Sequence, residues 1–578
     1  MKGPNVWIKL IVSLAFVVAC AVFISLFLDS AIKIDQQSKV YSSLDSWNIQ
    51  NSALNGAPLN EEKSIYQFKN NAKITTLYVS VFPTDINGRT VDFSTLNEQT
   101  ALSDTSLDLL NANVIVGEDE DGRFNDFKNH DVINAAIRVR GASSLSSPFK
   151  SYKLTLKNPI DSIYGAKVLN LNKHPYDNTK IANKFCMDML STVPTMGSLR
   201  TSFVIMYIRD TSLPKNKQKY KYYGLYTYVE QPNRTYLKAH GFDSNGSLYK
   251  VNSFEFRMSP ELKNVTDPAY NKTSFETILK IREGTDHSKL LNMINDINDL
   301  NKDFPTMFKT YFNEDNYLSW VACNILFGNE DTISHNFIMY NPTNSLTWYF
   351  LPWDYDGTFR FDQYTSHYDL PMCLNGIQRL SSVMLHRRYF RQPGNIQKLT
   401  KKIEELLKTS FSQKNVNNLL NSYKPVLENT MTRPPDLLLT QLQPNQILPY
   451  IDEFYNQIVV YYHNYLNSLK FPSPVFVSEP VRRSNGFVDF LWEPSFDFNG
   501  NLVSYDLMFA KDPLLKDVVF KAENILESKY SYKKFVPKGL YYMKLTIKDS
   551  EGNVQLSLDF TEPAIGDPEF GKREVNLK

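Results

Sequence analysis

The densest run of residues able to do chemistry is 327–360, FGNEDTISHNFIMYNPTNSLTWYFLPWDYDGTFR. A helical pattern stops at Gly328, so Asn329-Glu330-Asp331 falls on a loop, and Asn336 follows Asp331 by five residues. NFIMY, NPTNS and LTWYFL then read as strand, turn and strand, and Asp354-Tyr355-Asp356-Gly357 comes next. A hairpin returns the chain to its origin, so both acidic loops should lie at one end of the sheet. Carboxylate and amide oxygens are hard ligands for Mg2+ or Mn2+, and a second carboxylate can orient an attacking hydroxyl. Those are the requirements of phosphoryl transfer, where the protein does little covalent work and mostly positions charge.

Protein kinases set out their loops in this order: a catalytic Asp, an Asn five positions on, and a metal-binding Asp beyond a short β passage. Asp331, Asn336 and Asp354 fit those three roles. The same residues also suit plain turns, Asp331 and Asp356-Gly357 above all. Upstream, Arg138-Val139-Arg140 runs as a strand into the small-residue loop Gly141-Ala142-Ser143-Ser144, and PFKSYKL returns as a strand carrying Lys150 and Lys153. Such a loop lets a phosphate approach backbone N–H groups, and a strand Lys can neutralise it. Both lysines read equally as solvated strand charge. No Walker loop is present, since no GK[ST] occurs.

The elements that must position these groups follow an α+β order. Strand chemistry runs through Ile74–Phe82, Val132–Val139, Tyr152–Leu156, Ser202–Ile208, Leu225–Val229 and Ser247–Val251, with a short β segment at Ser345–Phe350. Helical spacing occupies 178–191, 272–328 (FETILKIREG included) and 396–469. After Phe471-Pro472-Ser473-Pro474 come short alternating strands, with Trp492 before Pro494 and a late GLYYMKLTIKDSEGN. These resemble a fibronectin type III β-sandwich, in which the Trp and alternate residues of the late strand fill the core. At the other end, residues 10–28 (LIVSLAFVVACAVFISLFL) are uncharged and about 29 Å long as a helix, enough to cross a bilayer. Lys2 and Lys9 precede them and Asp29 follows, which predicts a cytoplasmic N-terminus. The expected plan is a transmembrane anchor (1–29), a stalk (30–72), a body of mixed sheet plus helices (73–470) and a small all-β sandwich (471–578). The protein is then expected to be a single-pass membrane protein with its bulk outside the cytoplasm.

Composition narrows the function. Lys+Arg 63 against Asp+Glu 61 gives a net charge of +2 with no basic blocks, so nucleic acid is not an expected partner. Four Cys exclude a disulfide scaffold, and no Cys/His spacing suits zinc. Cys186, Cys323 and Cys373 read as buried thiols.

RGASS…PFKSYKL, YYGLYTYVEQ, GNEDTISHNFIMY and LPWDYDGTF, in chain order, resemble the spore-coat protein H (CotH) kinase family over roughly residues 74–400. The resemblance implies a reduced, atypical kinase fold that uses ATP with Mg2+ or Mn2+ to phosphorylate Ser residues of partner proteins. By position it implies Asp331 as catalytic Asp, Asp354 and Asn336 on the metal, and Lys150 as the nucleotide-phosphate Lys. Arg140, Ser143 and Ser144 would form the phosphate-covering loop. Glu230 would pair with a basic group or line the nucleotide cleft. Lys180 stands where Arg is expected, and Ser334 where some members carry a second acid, which bears on activity more than on fold. The expected function is ATP-dependent phosphorylation of Ser/Thr hydroxyls on a Ser-rich protein or a cell-envelope component, from a membrane anchor at residues 10–28. The alternative is a catalytically silent surface or coat protein, a binding module.

Overall fold

The computed structural model describes residues 56–67, 71, 73–100, 108–117, 130–141, 143–160, 163–329, 331–359, 371–562 and 568–578. The chain divides into two units, 1–57 and 58–578, and the account below concerns the second.

Seven strands close into a barrel: β1 (Thr75–Phe82), β2 (Leu110–Gly117), β3 (Ala135–Arg140), β4 (Ser151–Ile160), β5 (Ala166–Asn172), β6 (Thr201–Asp210) and β7 (Lys221–Val229). Their order is β1-β2-β3-β4-β5-β7-β6, and β6 closes on β1 in parallel while the other pairs are antiparallel. Period two puts alternate residues inside. Leu77, Val79 and Val81 of β1 meet Ile137 and Val139 of β3, Leu154 and Leu156 of β4, and Val204, Met206 and Ile208 of β6 in one core. Sealing the barrel leaves no sheet edge to protect.

A second, antiparallel sheet follows: β8 (Ser247–Val251), β9 (Leu279–Glu283), β10 (Phe337–Asn341) and β11 (Tyr349–Pro352), in the order β9-β8-β10-β11. The β9 segment corrects the helical reading of FETILKIREG. A helix at Lys272–Ile278 gives way to a strand, because Leu-Lys-Ile-Arg-Glu alternates over five residues and pairs with β8. Helices at Ser288–Asn298, Phe304–Tyr311, Glu314–Leu326, Asn395–Lys408, Gln413–Thr430 and Phe454–Ser468 complete the body.

Beyond residue 471 two further sheets, of three and five strands, share a core that contains Trp492, Tyr505, Met543, Leu545 and Ile547. This is an all-β sandwich, with alternate residues of Gly539–Asp549 buried as their spacing predicts. Arg387 ties it to the body, donating to Pro474 O (3.0 Å) and Pro494 O (2.7 Å).

The localisation expected from the sequence is corrected. Among the described residues, no helix is long and apolar enough to cross a membrane. The span expected at 10–28 lies outside them, as does the stalk up to residue 55. A single-pass arrangement is therefore not carried forward.

Candidate active site

The hairpin β10–β11 pairs Phe337 with Pro352 and Ile338 with Leu351, so the chain enters and leaves at one end. Asp331 lies just before it and Asp354 just after. The two loops touch: a Cβ on Gly357 would fall 2.8 Å from Asp331 Cβ, so only glycine lets them approach this closely.

Asp331 is fixed by its own loop. The helix Glu314–Leu326 is capped by Asn313, whose side chain accepts from the Asn316 N–H, and carries Glu314 and Asp315 in its first turn. Past its end the buried Asn329 donates to Asn324 Oδ1 (3.1 Å) and Thr332 Oγ1 (2.6 Å), and accepts from the Asp331 N–H (3.2 Å). Asn336 Nδ2 donates to Asp331 Oδ2 (2.6 Å), and His335 Nε2 lies 2.7 Å from Oδ1. The Asp331 side chain is 41% exposed, open to an incoming group.

Asp331, Asn336, Asp354 and Asp356 share a cleft of about 460 Å³ with barrel residues Arg138, Arg140, Ser144, Lys153, Asn170, Asn172 and His174. Lys250, Lys280, Arg282 and Trp353 come from the second sheet. Six cationic side chains thus face three carboxylates, a balance suited to a polyanion that arrives with a cation. Three non-glycine residues of the lining hold left-handed backbone: His174 (φ 47°), Asn336 (φ 55°) and Asp354 (φ 62°). Such conformations persist only where the surroundings impose them, and they cluster at functional sites.

Burial, with Asp356 adding repulsion, raises the Asp354 carboxyl to about 6 against the pull of Lys250 and Arg140. Lys250 is lowered, chiefly by burial and further by Arg282, Arg140 and Lys280, although Asp354 opposes this. Among the described residues, no group of three or more His, Cys, Asp or Glu is placed to hold a metal ion. A Mg2+ site bound partly by substrate phosphate needs only one or two carboxylates, and Asp354 with Asp356 fits that donor set. Gly141 (φ 106°) turns the loop beneath Ser144 so tightly that a Cβ there would meet Ser144 Oγ, which leaves backbone open toward the cleft.

Two residues singled out from the sequence lie elsewhere. Lys150 is buried with its Nζ on Leu145 O, because even-numbered positions of β4 (Tyr152, Leu154) face the barrel core while Ser151 and Lys153 face the cleft. Lys153 is thus the strand lysine of the cleft. Glu230 also lies outside it, bonded to Arg200 and to His240 Nε2 (2.9 Å), the pairing alternative for this residue. Burial opposes its ionisation, but His240 and Arg200 prevail and bring it to about 2. Ser143 begins the 3₁₀ turn Ser143–Ser146. Lys180, lowered to about 8 by burial, donates to His174 O (2.9 Å) and Leu439 O (2.6 Å) and makes no phosphate arm. Lys250, Arg282 and His174 line the cleft with no motif in the sequence to mark them, and His174, which shows no ligand spacing, reaches the site alongside His335. The only hint of Lys250 was its place in the alternating strand SLYKV.

Residues 137–465, more than half of the chain, match the family described as CotH kinase protein. The chain belongs to the CotH family. It is 23% identical over 320 residues to the inner spore coat protein H of Bacillus subtilis (strain 168), covering 54% of this chain and 83% of that protein. Among solved structures, the Helicobacter pylori proinflammatory kinase CtkA is similar over 55% of this chain and 94% of its own, at 11% identity and a TM-score of 0.24. A HipA–HipB–operator DNA complex of Shewanella oneidensis is similar over 52% of this chain and 58% of its own, at 12% identity and a TM-score of 0.24. An Fn3-like protein of Clostridium thermocellum covers 15% of this chain and 81% of its own, at 18% identity and a TM-score of 0.12. The structural scores are too low to bear on this CotH-family site, which stands on its own geometry.

Proposed function

We propose that this chain transfers the γ-phosphate of ATP to a Ser or Thr hydroxyl of a partner protein. One observation carries the reading: Asp331 and Asp354, at the two ends of one hairpin, line the same cleft facing cations borne by the barrel. Asp331 is the residue to orient the acceptor hydroxyl and take its proton, held by Asn329 and Asn336. Mg2+ or Mn2+, when bound, supplies neutralising charge at the phosphate oxygens. Asp354 and Asp356 would be its carboxylate ligands. Asn336 commits Nδ2 to Asp331, which reserves its Oδ1 for the metal. Arg140, Gly141 and Ser144 cover the phosphates, and Lys153 takes the place first expected of Lys150. The relative's description as an inner spore coat protein favours a coat-associated acceptor.

The test incubates the full-length chain with labelled ATP, Mg2+ or Mn2+ and a Ser-rich protein. Label transfer that disappears in Asp331→Ala and Asp354→Ala supports the kinase. A ligand at a hundred times its Kd stabilises the fold by about 2.7 kcal/mol. A wild-type melt unmoved by nucleotide, with no transfer, would leave a binding module as the better description.

A further inference from the structure

We propose that the Asn172 side-chain amide holds a ribose hydroxyl of the bound nucleotide, so that the cleft prefers ribo- to deoxyribonucleoside triphosphates; this rests on the ATP reading above. Strand β5 and its extension put Asn170, Asn172 and His174 on the cleft. Lys173 between them points the other way, into a fully buried pair with Asp436 (2.8 Å). The alternation is that of a strand laid along the cleft floor.

The two ends of this floor differ. At one end, His174 Nδ1 lies 3.5 Å from Asp356 Oδ2, beside the carboxylates where phosphates and metal belong. At the other, Asn170 Nδ2 donates to Val229 O (3.2 Å) and Gln231 Oε1 (3.1 Å), on the segment where the barrel passes to the second sheet. Asn170 and Asn172 stand about 7 Å apart at ~3.3 Å per residue of strand, and His174 lies two residues past the strand's end. A nucleoside triphosphate with its phosphates at the His174 end therefore sets its base toward Gln231 and its sugar opposite Asn172.

Asn172 is 8% exposed, and its Oδ1 is buried with no hydrogen-bond partner among the described residues. Thr227, directly across on β7, has a buried hydroxyl in the same condition. Buried polar atoms in folded proteins are nearly always paired. Asn170, two residues away, spends its Nδ2 on the inter-sheet segment, whereas packing leaves the Asn172 oxygen over. A sugar hydroxyl at that position donates to the amide oxygen.

The test measures Kd for ATP, 2′-deoxy-ATP and 3′-deoxy-ATP with Mg2+ by calorimetry on the full-length chain. One hydrogen bond is worth about three- to tenfold, so at least one deoxy analogue should bind that much more weakly. In Asn172→Ala the discrimination should fall to near unity, by loss of ATP affinity alone. Asn172→Asp keeps an acceptor and should keep the ratio, even if every nucleotide binds more weakly. Equal wild-type affinity for all three nucleotides overturns the proposal without any variant, whatever the folding of Asn172→Ala. An unchanged ratio in a folded Asn172→Ala does the same and leaves the kinase reading standing. Failure of every nucleotide to bind overturns both.

Discussion

Replacing Asp354 by Asn should make the unliganded protein more stable while abolishing its response to metal and nucleotide. The carboxyl is raised from its ordinary 3.8 to about 6, a difference on the order of 3 kcal/mol if the whole shift counts, and about 1–3 kcal/mol after allowance for its partial exposure. The folded state holds this proton more tightly than the unfolded state, so stability falls as pH rises from about 4 to about 6, and the loss is complete above that. Asn carries no such term. In EDTA, the variant should match wild type near pH 4 and melt about 1–3 °C higher at pH 7.5, with the gap opening between those limits. Adding Mg2+ and ATP at pH 7.5 should raise the wild-type midpoint and leave the variant unmoved. A variant less stable than wild type at pH 7.5, or a gap independent of pH, would refute the argument that this carboxylate is buried without a sufficient partner.

Lys153→Met should raise the Kd for ATP about tenfold or more, whereas Lys150→Met should leave it unchanged, since Lys150 Nζ is spent on Leu145 O; calorimetry separates them. Gly357→Ala drives a methyl against Asp331 Cβ and should cost about 1–3 kcal/mol in denaturant melts together with most phosphotransfer. Glu230→Gln removes the carboxylate that pairs with the half-buried Arg200 and with His240, which keeps Glu61 on its Nδ1 (2.7 Å), and should cost about 1.5–3 kcal/mol. The pH dependence of that contribution follows the lowered pKa: it is complete above about 4.5 and fades as pH falls toward about 2, so wild type and variant should converge in acid melts.

The legible part of this molecule was what local pattern controls. The hairpin between the acidic loops followed from turn residues flanked by apolar runs, and it alone brings Asp331 to Asp354. The sandwich core followed from alternation around Trp492. Strand parity was missed: Lys150 and Lys153 look equivalent in PFKSYKL, and only the start of β4 at Ser151 decides which one faces the cleft. The β9 strand was hidden because five alternating residues adjoin a helical turn, and its identity is set by a partner, β8, nearly thirty residues earlier. Lys250 and Arg282 were invisible for the same reason, since they enter the site only through that pairing. Asn233 and Asn271 serve as helix N-caps.

The electrostatics of the cleft argue for a particular kind of occupant. Asp354 is biased toward its protonated form and Lys250 toward its neutral one, although the two lie close enough to oppose both trends. An ion pair built for stability settles both partners in their charged states, as Glu230 and its neighbours do. Here burial and like charges on each side outweigh the mutual attraction, so neither charge is adequately met within the protein. A cation alone would relieve Asp354 and aggravate the Arg140, Lys250 and Arg282 group; an anion alone would do the reverse. Only a ligand that delivers both signs at once, metal at the hairpin end and phosphate toward the barrel, relaxes the whole lining. The expected signature is strong coupling, with Mg2+ binding weakly alone, ATP weakly alone, and the pair far more tightly than the product of the two would give.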